Sequence, residues 1–478
     1  MKTQINISFV MLCLAIVMAA CSREETKSFD VPSESILVSM PGQTGSTTFN
    51  SHNITSITSS AAPKGWHIDD IDMYTSTITV TAPSSFDDGE QSDGDITLTG
   101  YTPTGNKVSI EIYVAILPNA DVDYTASPAN CYIANKANTR FRFNPYVGGS
   151  STPLATERVA LIWESKINLV QYIDLRDGFA SFYLRELSEK GEPTGKVATG
   201  NAIIGAYDAD DELIWSWHIW VTNSDPEAET ITLNGRELMN INLGADGNNE
   251  GVADGREIGN SYGMYYQWGR RTPFIGPKSW DFFSNMDGTM YDSKEGELLL
   301  KYEASSDKIG NVAWAEDNPM TIILGNKDND YDWLYASHDD TLWSATTKSE
   351  HDPCPAGWRV PDSSIYGSLT IAATDDAMPW EGAQKMYGWW LEDSTTAESY
   401  FFSAAGRRNY IDGRLDNIND DDIRPIPWSG YYWTTTTEGA MAKALYFDLN
   451  STTRTWNGIN TSRSMQRANA LPIRCVKE

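Results

Sequence analysis

Leu213-Ile214-Trp215-Ser216-Trp217-His218-Ile219-Trp220-Val221 reads as a strand. It is dense in aromatic and β-branched residues and has no Gly, Pro, Asp or Asn to break it. Two-residue alternation places Trp215 and Trp217 on one face and Ser216 and His218 on the other. An indole face suits the C–H face of a pyranose, but tryptophans on a strand more often build a core or a domain interface. His218 has no second ligand or base beside it in sequence, which speaks against a metal or general-base role.

Working outward, the same character persists. Aromatic residues make up 11% of the 478-residue chain, and helix-periodic stretches are scarce. Toward the N-terminus, short alternating runs include Ile78 and Val80, then Ile96 and Leu98, then Val108, Ile110, Ile112, Val114 and Ile116. Turn clusters separate them at Pro41-Gly42, Asp87-Asp88-Gly89, Asp93-Gly94 and Pro103-Thr104-Gly105. Short strands at this spacing predict a β-sandwich over residues 33–118. A β-rich domain is expected over 124–235 and a third, tryptophan-rich domain over 236–478. The formal net charge of −29 argues against nucleic acid and anionic membrane surfaces as partners.

The N-terminus bounds the compartment. Lys2 precedes an apolar run from Ile5 to Ala20, too short for a spanning helix, and it ends in Met18-Ala19-Ala20-Cys21. Residues 1–20 read as a signal peptide and Cys21 as the lipidated residue, with 21–32 a polar tether. Multiple acylation is sufficient for stable anchoring. The acidic Ser22-Arg23-Glu24-Glu25 resembles surface-export signals of Bacteroidota lipoproteins. The expected location is therefore the outer membrane, facing the exterior. Cys131, Cys354 and Cys475 remain in the exported chain, enough for one internal disulfide.

Lys64-Gly65-Trp66-His67-Ile68, Ser76 to Val80 and Gly94 to Thr99 resemble BACON-type immunoglobulin-like domains. A longer, ordered set of phrases follows: Ser127 to Ile133, Leu213 to Val221, Asn242-Leu243-Gly244-Ala245 and Met264 to Arg270. It continues with Asp352-Pro353-Cys354-Pro355-Ala356-Gly357-Trp358-Arg359-Val360-Pro361, Phe402 to Arg407, Tyr432 to Thr435, and Leu471 to Lys477. This set resembles the Fibrobacter-type major paralogous domain and the C-terminal regions of fimbrial-tip and adhesin-like lipoproteins. The resemblance implies a C-type-lectin-like α+β domain at 236–478, a Cys354–Cys475 bridge, and a role in adhesion. Asp362-Ser363-Ser364-Ile365-Tyr366 departs from the helix usually found after the Trp-Arg-Val-Pro phrase.

Candidate sites are few. Asp246, Asn248, Glu250, Asp254 and Glu257 fall at positions 1, 3, 5, 9 and 12 of a calcium-type loop with Gly251 at position 6. Calcium is the cation such a loop would take, although an acidic surface insertion has the same composition. Asn326, Asp328, Asp330 and Asp332 alternate similarly without the glycine or terminal Glu. Catalytic residues are not evident: no P-loop, dinucleotide fingerprint, Gly-x-Ser-x-Gly elbow or zinc motif occurs. Cys131 has no adjacent base to activate it.

The fold class expected is multidomain, mainly β to α+β: an immunoglobulin-like sandwich, a middle β-domain and a C-type-lectin-like domain. The expected function is adhesion or ligand binding, as a fimbrial tip or accessory subunit, with 236–478 carrying recognition. The alternatives are a glycan-binding lipoprotein of a polysaccharide-uptake system and an unrecognised hydrolase. Expected partners are the outer membrane through the lipid, and host or dietary glycans, surface proteins or fimbrial subunits. Labelled palmitate should enter the protein in producing cells and should be absent from Cys21→Ala; equal labelling of the two would refute the anchor.

Overall fold

The computed structural model describes residues 29–31, 35–84, 90–116, 121–176, 178–189, 192–248, 258–277, 287–371, 388–416, 429–450 and 455–478. The signal peptide and Cys21 lie outside them, as does most of the tether. No helix among the described residues is long and apolar enough to cross a membrane. The chain divides into two compact units at Pro118.

The first unit is a sandwich. One sheet runs in the order Ser35–Val38, Lys107–Ile116, Asp93–Tyr101 and Ser56–Ser59; the other in the order Thr44–Thr48, Thr77–Thr81 and His67–Asp72. The alternating residues Ile78, Val80, Ile96, Leu98, Ile112 and Val114 share one core with Ile36, Val38 and Trp66. Val108, Ile110 and Ile116 only flank it. The Trp66 indole donates to the Gln91 carbonyl at 3.0 Å, so its single polar atom is satisfied.

The second unit is organised on a six-stranded sheet. Its order is Glu297–Leu298, Met290–Tyr291, Arg158–Glu164, Gly200–Tyr207, Leu213–Val221 and Cys131–Ala134. Both faces are apolar and both are covered. Trp215, Trp217, Ile219 and Val221 enter one core with Phe141, Phe143 and Phe182 from a second sheet of Gln171–Arg176, Phe179–Leu184, Thr139–Phe143 and Asp121–Asp123. Trp163, Ile203 and Trp220 point the other way, into a core shared with Trp268, Trp333, Trp343, Trp433 and Ile473.

That second core corrects the boundary expected near residue 235. Residues 124–235 and 236–478 do not fold as separate domains. The open face of the central sheet is closed by the C-terminal half, and Glu164 pairs directly with Tyr291. The α+β character expected of 236–478 is also corrected. Among its described residues the single α-helix is Val312–Asp317, started by Asn311, whose side chain accepts the Trp314 N–H at 2.9 Å. Ser363–Tyr366 forms one 3-10 turn capped by Asp362. The reason is compositional: short runs broken by Gly, Asn and Asp cannot supply the three turns over which helix propagation offsets nucleation.

The ordered phrases of the sequence are tied to one another by polar contacts. Asp352, fully buried, accepts the Cys354 N–H at 2.9 Å through Oδ1 and the Val360 N–H at 2.9 Å through Oδ2. Lys348 neutralises it at 3.0 Å. Asn130 donates to the Asp352 carbonyl at 2.9 Å and to the Glu350 carbonyl at 2.8 Å. Cys354 and Cys475 are joined by a disulfide with a Cα–Cα distance of 6.0 Å, across a sequence separation of 121. Loop-closure entropy makes such a bridge worth about 3–5 kcal/mol. Replacing both cysteines by serine should lower unfolding free energy by about that amount in denaturant titration; an unchanged midpoint would show that the bridge contributes nothing to stability.

Candidate functional site

Several sequence phrases converge on one cavity of about 420 Å³ in the second unit. Gly200 and Asn201 contribute from one strand, Gly244 and Asp246 from the segment after residue 241, and Gly263 and Met264 from the next. Ser165, Lys166 and Ile167 form a further wall, and Ile275 to Pro277 with Gly288 and Thr289 another. Gly244 is required by both conformation and space. Its φ is +85°, and a Cβ there would lie 2.4 Å from Met264 Cγ and 2.8 Å from Asn201 Oδ1.

Asn201 is the most constrained polar group of the lining. Its Nδ2 donates to the Gly244 carbonyl at 2.9 Å, which fixes the amide orientation. Its Oδ1 lies 2.8 Å from His218 Nε2. An amide oxygen only accepts, so Nε2 carries the proton and Nδ1 accepts from the Tyr266 hydroxyl at 3.1 Å. Tyr266, His218 and Asn201 thus form a directed relay ending at the cavity wall. All three are buried. Burial holds the imidazole neutral by pushing its pKa down from 6.5 to about 3.

Asp246 is held just as firmly. Its Oδ2 accepts from the Thr199 hydroxyl at 2.9 Å and its Oδ1 from the Thr222 hydroxyl at 3.4 Å. Its N–H donates to the Asn260 carbonyl at 2.7 Å.

Asn248, the next residue of the expected calcium loop, turns elsewhere. Its Oδ1 accepts from Arg474 Nη2 at 3.1 Å and its Nδ2 donates to Asn240 at 3.0 Å. An oxygen that already faces a guanidinium is a poor ligand for a second cation. Glu250, Asp254 and Glu257 lie outside the described residues. Among the described residues no group of three or more His, Cys, Asp or Glu is placed to hold a metal ion. In the Asn326 to Asp332 stretch, Asn326 caps Asp328 at 3.0 Å, while buried Asp332 pairs with His338 at 2.8 Å. Those oxygens do not converge.

Cys131 is free and buried, and burial pushes its thiol pKa far above the usual range. It is a core residue rather than a nucleophile. Trp215 and Trp217 are buried, so neither offers a stacking surface to a sugar. Trp389 is buried as well, and Trp390 packs edge-on to Phe401 at 5.8 Å. Trp428 lies outside the described residues. Sequence reading missed Asn201; the available signal was His218, a polar group inside a tryptophan strand, which needed a buried partner.

No protein-family profile and no curated protein matches the chain. Solved structures do align with part of it. The D00-D0 domain of Intimin aligns at 12% identity, covering 40% of this chain and 96% of that one, with a TM-score of 0.16. A chimeric titin Z1Z2 aligns at 11% identity over 41% of this chain and 97% of its own, with a TM-score of 0.15. The Bacteroides ovatus mixed-linkage glucan utilization locus SGBP-B, in complex with a mixed-linkage heptasaccharide, aligns at 15% identity. That match covers 38% of this chain and 42% of the other, with a TM-score of 0.11. Overlaps this small carry no argument about fold or function.

The relay makes a pH prediction. A base whose folded pKa is depressed contributes stability that is complete above its unfolded pKa and is lost as pH falls toward the folded one. For His218 the window runs from 6.5 down to about 3. The stability difference between wild type and His218→Gln should therefore be constant above pH 7. Below pH 6 it should shrink by up to about 1.4 kcal/mol per pH unit. A difference that is flat from pH 7 to pH 4 would mean that the imidazole titrates alike in both states.

Proposed function

We propose that this chain is a cell-surface binding or adhesion protein, anchored through acyl groups on Cys21, with recognition carried by the second unit. The observation that supports this reading is the cavity at Asn201 and Asp246. Its polar walls are fixed in advance by buried hydrogen bonds, so a ligand would be met without a further ordering cost. Binding rather than turnover is the role assigned, with glycans, surface proteins or fimbrial subunits as the partners. The fimbrial-tip or accessory-subunit assignment rests on the sequence phrases alone.

The test is an adhesion assay with cells displaying the full chain. Wild type is compared with Asn260→Trp, a substitution of an exposed residue on the cavity rim. Immobilised host glycans, matrix proteins and fimbrial subunits are the targets. Adhesion to at least one target should fall tenfold or more in the variant, with surface display unchanged. Equal adhesion by the two would refute the cavity as the site of recognition.

A further inference from the structure

We propose that the cavity takes one neutral hexose ring, either as a free sugar or as the end unit of a chain. This deepens the assignment of recognition to the cavity and rests on it.

Size and lining narrow the ligand. A cavity of about 420 Å³ lies toward the small end of ligand sites, near the scale of a sugar ring with room for a substituent or a linked neighbour. Among the described residues the charged groups of the lining are Asp246 and Lys166. Asp246 accepts from the Thr199 hydroxyl through Oδ2, and the Thr222 hydroxyl is shared between its carbonyl and Oδ1, so the carboxylate is tethered to the wall and keeps lone pairs for a hydroxyl donor. Lys166 is exposed at the edge, so its ammonium stays hydrated. Among the described residues the remaining polar lining is uncharged: Asn201, Asn260, Ser165, Thr199, Thr289 and Tyr291.

Asn201 supplies the specific chemistry. A side-chain amide has two N–H donors and two acceptor lone pairs. Gly244 takes one donor and His218 takes one lone pair. One donor and one acceptor remain on a single planar group whose orientation the relay has fixed. A pair of adjacent hydroxyls matches that set, because each hydroxyl both donates and accepts. A carboxylate, a phosphate or an ammonium matches half of it and leaves the other half buried and unpaired, which is costly. Met264, Ile275 and Pro277 complete the lining as buried apolar residues.

His218 is thereby a positioning residue. Its neutral ring, with Nε2 protonated, keeps the Asn201 oxygen oriented and presents no charge toward the cavity.

The experiment uses the lipidated full chain in detergent, with saturation-transfer NMR and calorimetry. The probes are the methyl glycosides of D-glucose, D-galactose, D-mannose and N-acetyl-D-glucosamine, and neutral oligosaccharides ending in each. Glucuronate and glucosamine serve as anionic and cationic counterparts. At least one neutral probe should bind, and Asn260→Trp should weaken it tenfold or more without changing the melting temperature. Asn201→Leu should do the same; because Asn201 is buried and that variant can misfold, Asn260→Trp is the deciding one. Binding by the glycosides points to a free sugar, and binding by the oligosaccharides alone to a chain end; either supports the proposal. Neutral binding that is indifferent to Asn260→Trp would overturn it. Charged probes that bind, and are lost in Asn260→Trp while neutral probes never bind, would overturn the neutral sugar but keep the cavity as a site. Adhesion that is lost in Asn260→Trp while no sugar binds would likewise overturn the sugar and keep the cavity. Adhesion that persists unchanged in that variant, with no cavity-dependent binding of any probe, would remove both readings.

Discussion

The second unit depends on a sheet that is apolar on both faces. Strand Leu213–Val221 lies between Gly200–Tyr207 and Cys131–Ala134, and from Trp215 onward every residue is buried. A sheet of this kind cannot stand with one side in water. The face carrying Trp215 and Trp217 is closed by the four-stranded sheet that includes Thr139–Phe143, with Trp217 edge-on to Phe143 at 4.9 Å. The face carrying Trp220 must be closed by something else, and among the described residues Met239, Trp268, Trp333, Trp343, Trp433 and Ile473 are among those that close it. The C-terminal half closes that face while building strands of its own, among them the three-stranded sheet of Ser429–Glu438, Met441–Asn450 and Thr455–Gln466, whose Tyr432, Leu445 and Phe447 enter a further core with Trp389 and Phe402.

Irregular chain inside a core brings carbonyls that no ladder satisfies. Here buried tryptophans answer many of them. Trp220 donates to the Ala245 carbonyl at 2.6 Å, Trp268 to Thr434 at 2.9 Å, Trp333 to Trp268 at 2.8 Å and Trp433 to Tyr266 at 2.8 Å. Each indole fills volume and also pins a segment distant in sequence. Buried arginines act in the same way. Arg270 donates to the Thr321 and Ala315 carbonyls, each at 2.8 Å, and Arg271 lies 3.6 Å over the Trp215 ring with Glu316 beside it. Trp215 and Trp217 are exceptions, with Nε1 atoms that find no acceptor among the described residues.

The cavity sits where this packing is least regular. Its wall is made from the ends and turns of segments whose other residues are committed to the core, so its polar groups inherit their rigidity. Tyr266 lies in the core and its hydroxyl begins the relay that ends at Asn201. In the proposed reading stability and recognition are coupled at His218: one neutral imidazole satisfies the interior and orients a group at the cavity wall.

Period-two alternation was enough to determine the sandwich of residues 33–118, because a strand with one wet face records its orientation residue by residue. The strand character of Leu213–Val221 was equally legible, as was the split of Trp215 and Trp217 from Ser216 and His218. What the second face of that strand packs against was not legible, because residues buried on both sides carry no alternation to say which partner covers which face. For the same reason the boundary near residue 235 looked real in sequence and vanished in the fold. The acidic loop from Asp246 displayed calcium-like spacing, yet only the tertiary structure gave the Asp246 oxygens to Thr199 and Thr222 and set Arg474 against Asn248. Asn201 became a candidate only once Gly244 and His218, 43 and 17 residues away, were brought to its two ends. Spacing along a chain states which groups are present, whereas the partners that commit or free them are chosen by contacts between distant segments.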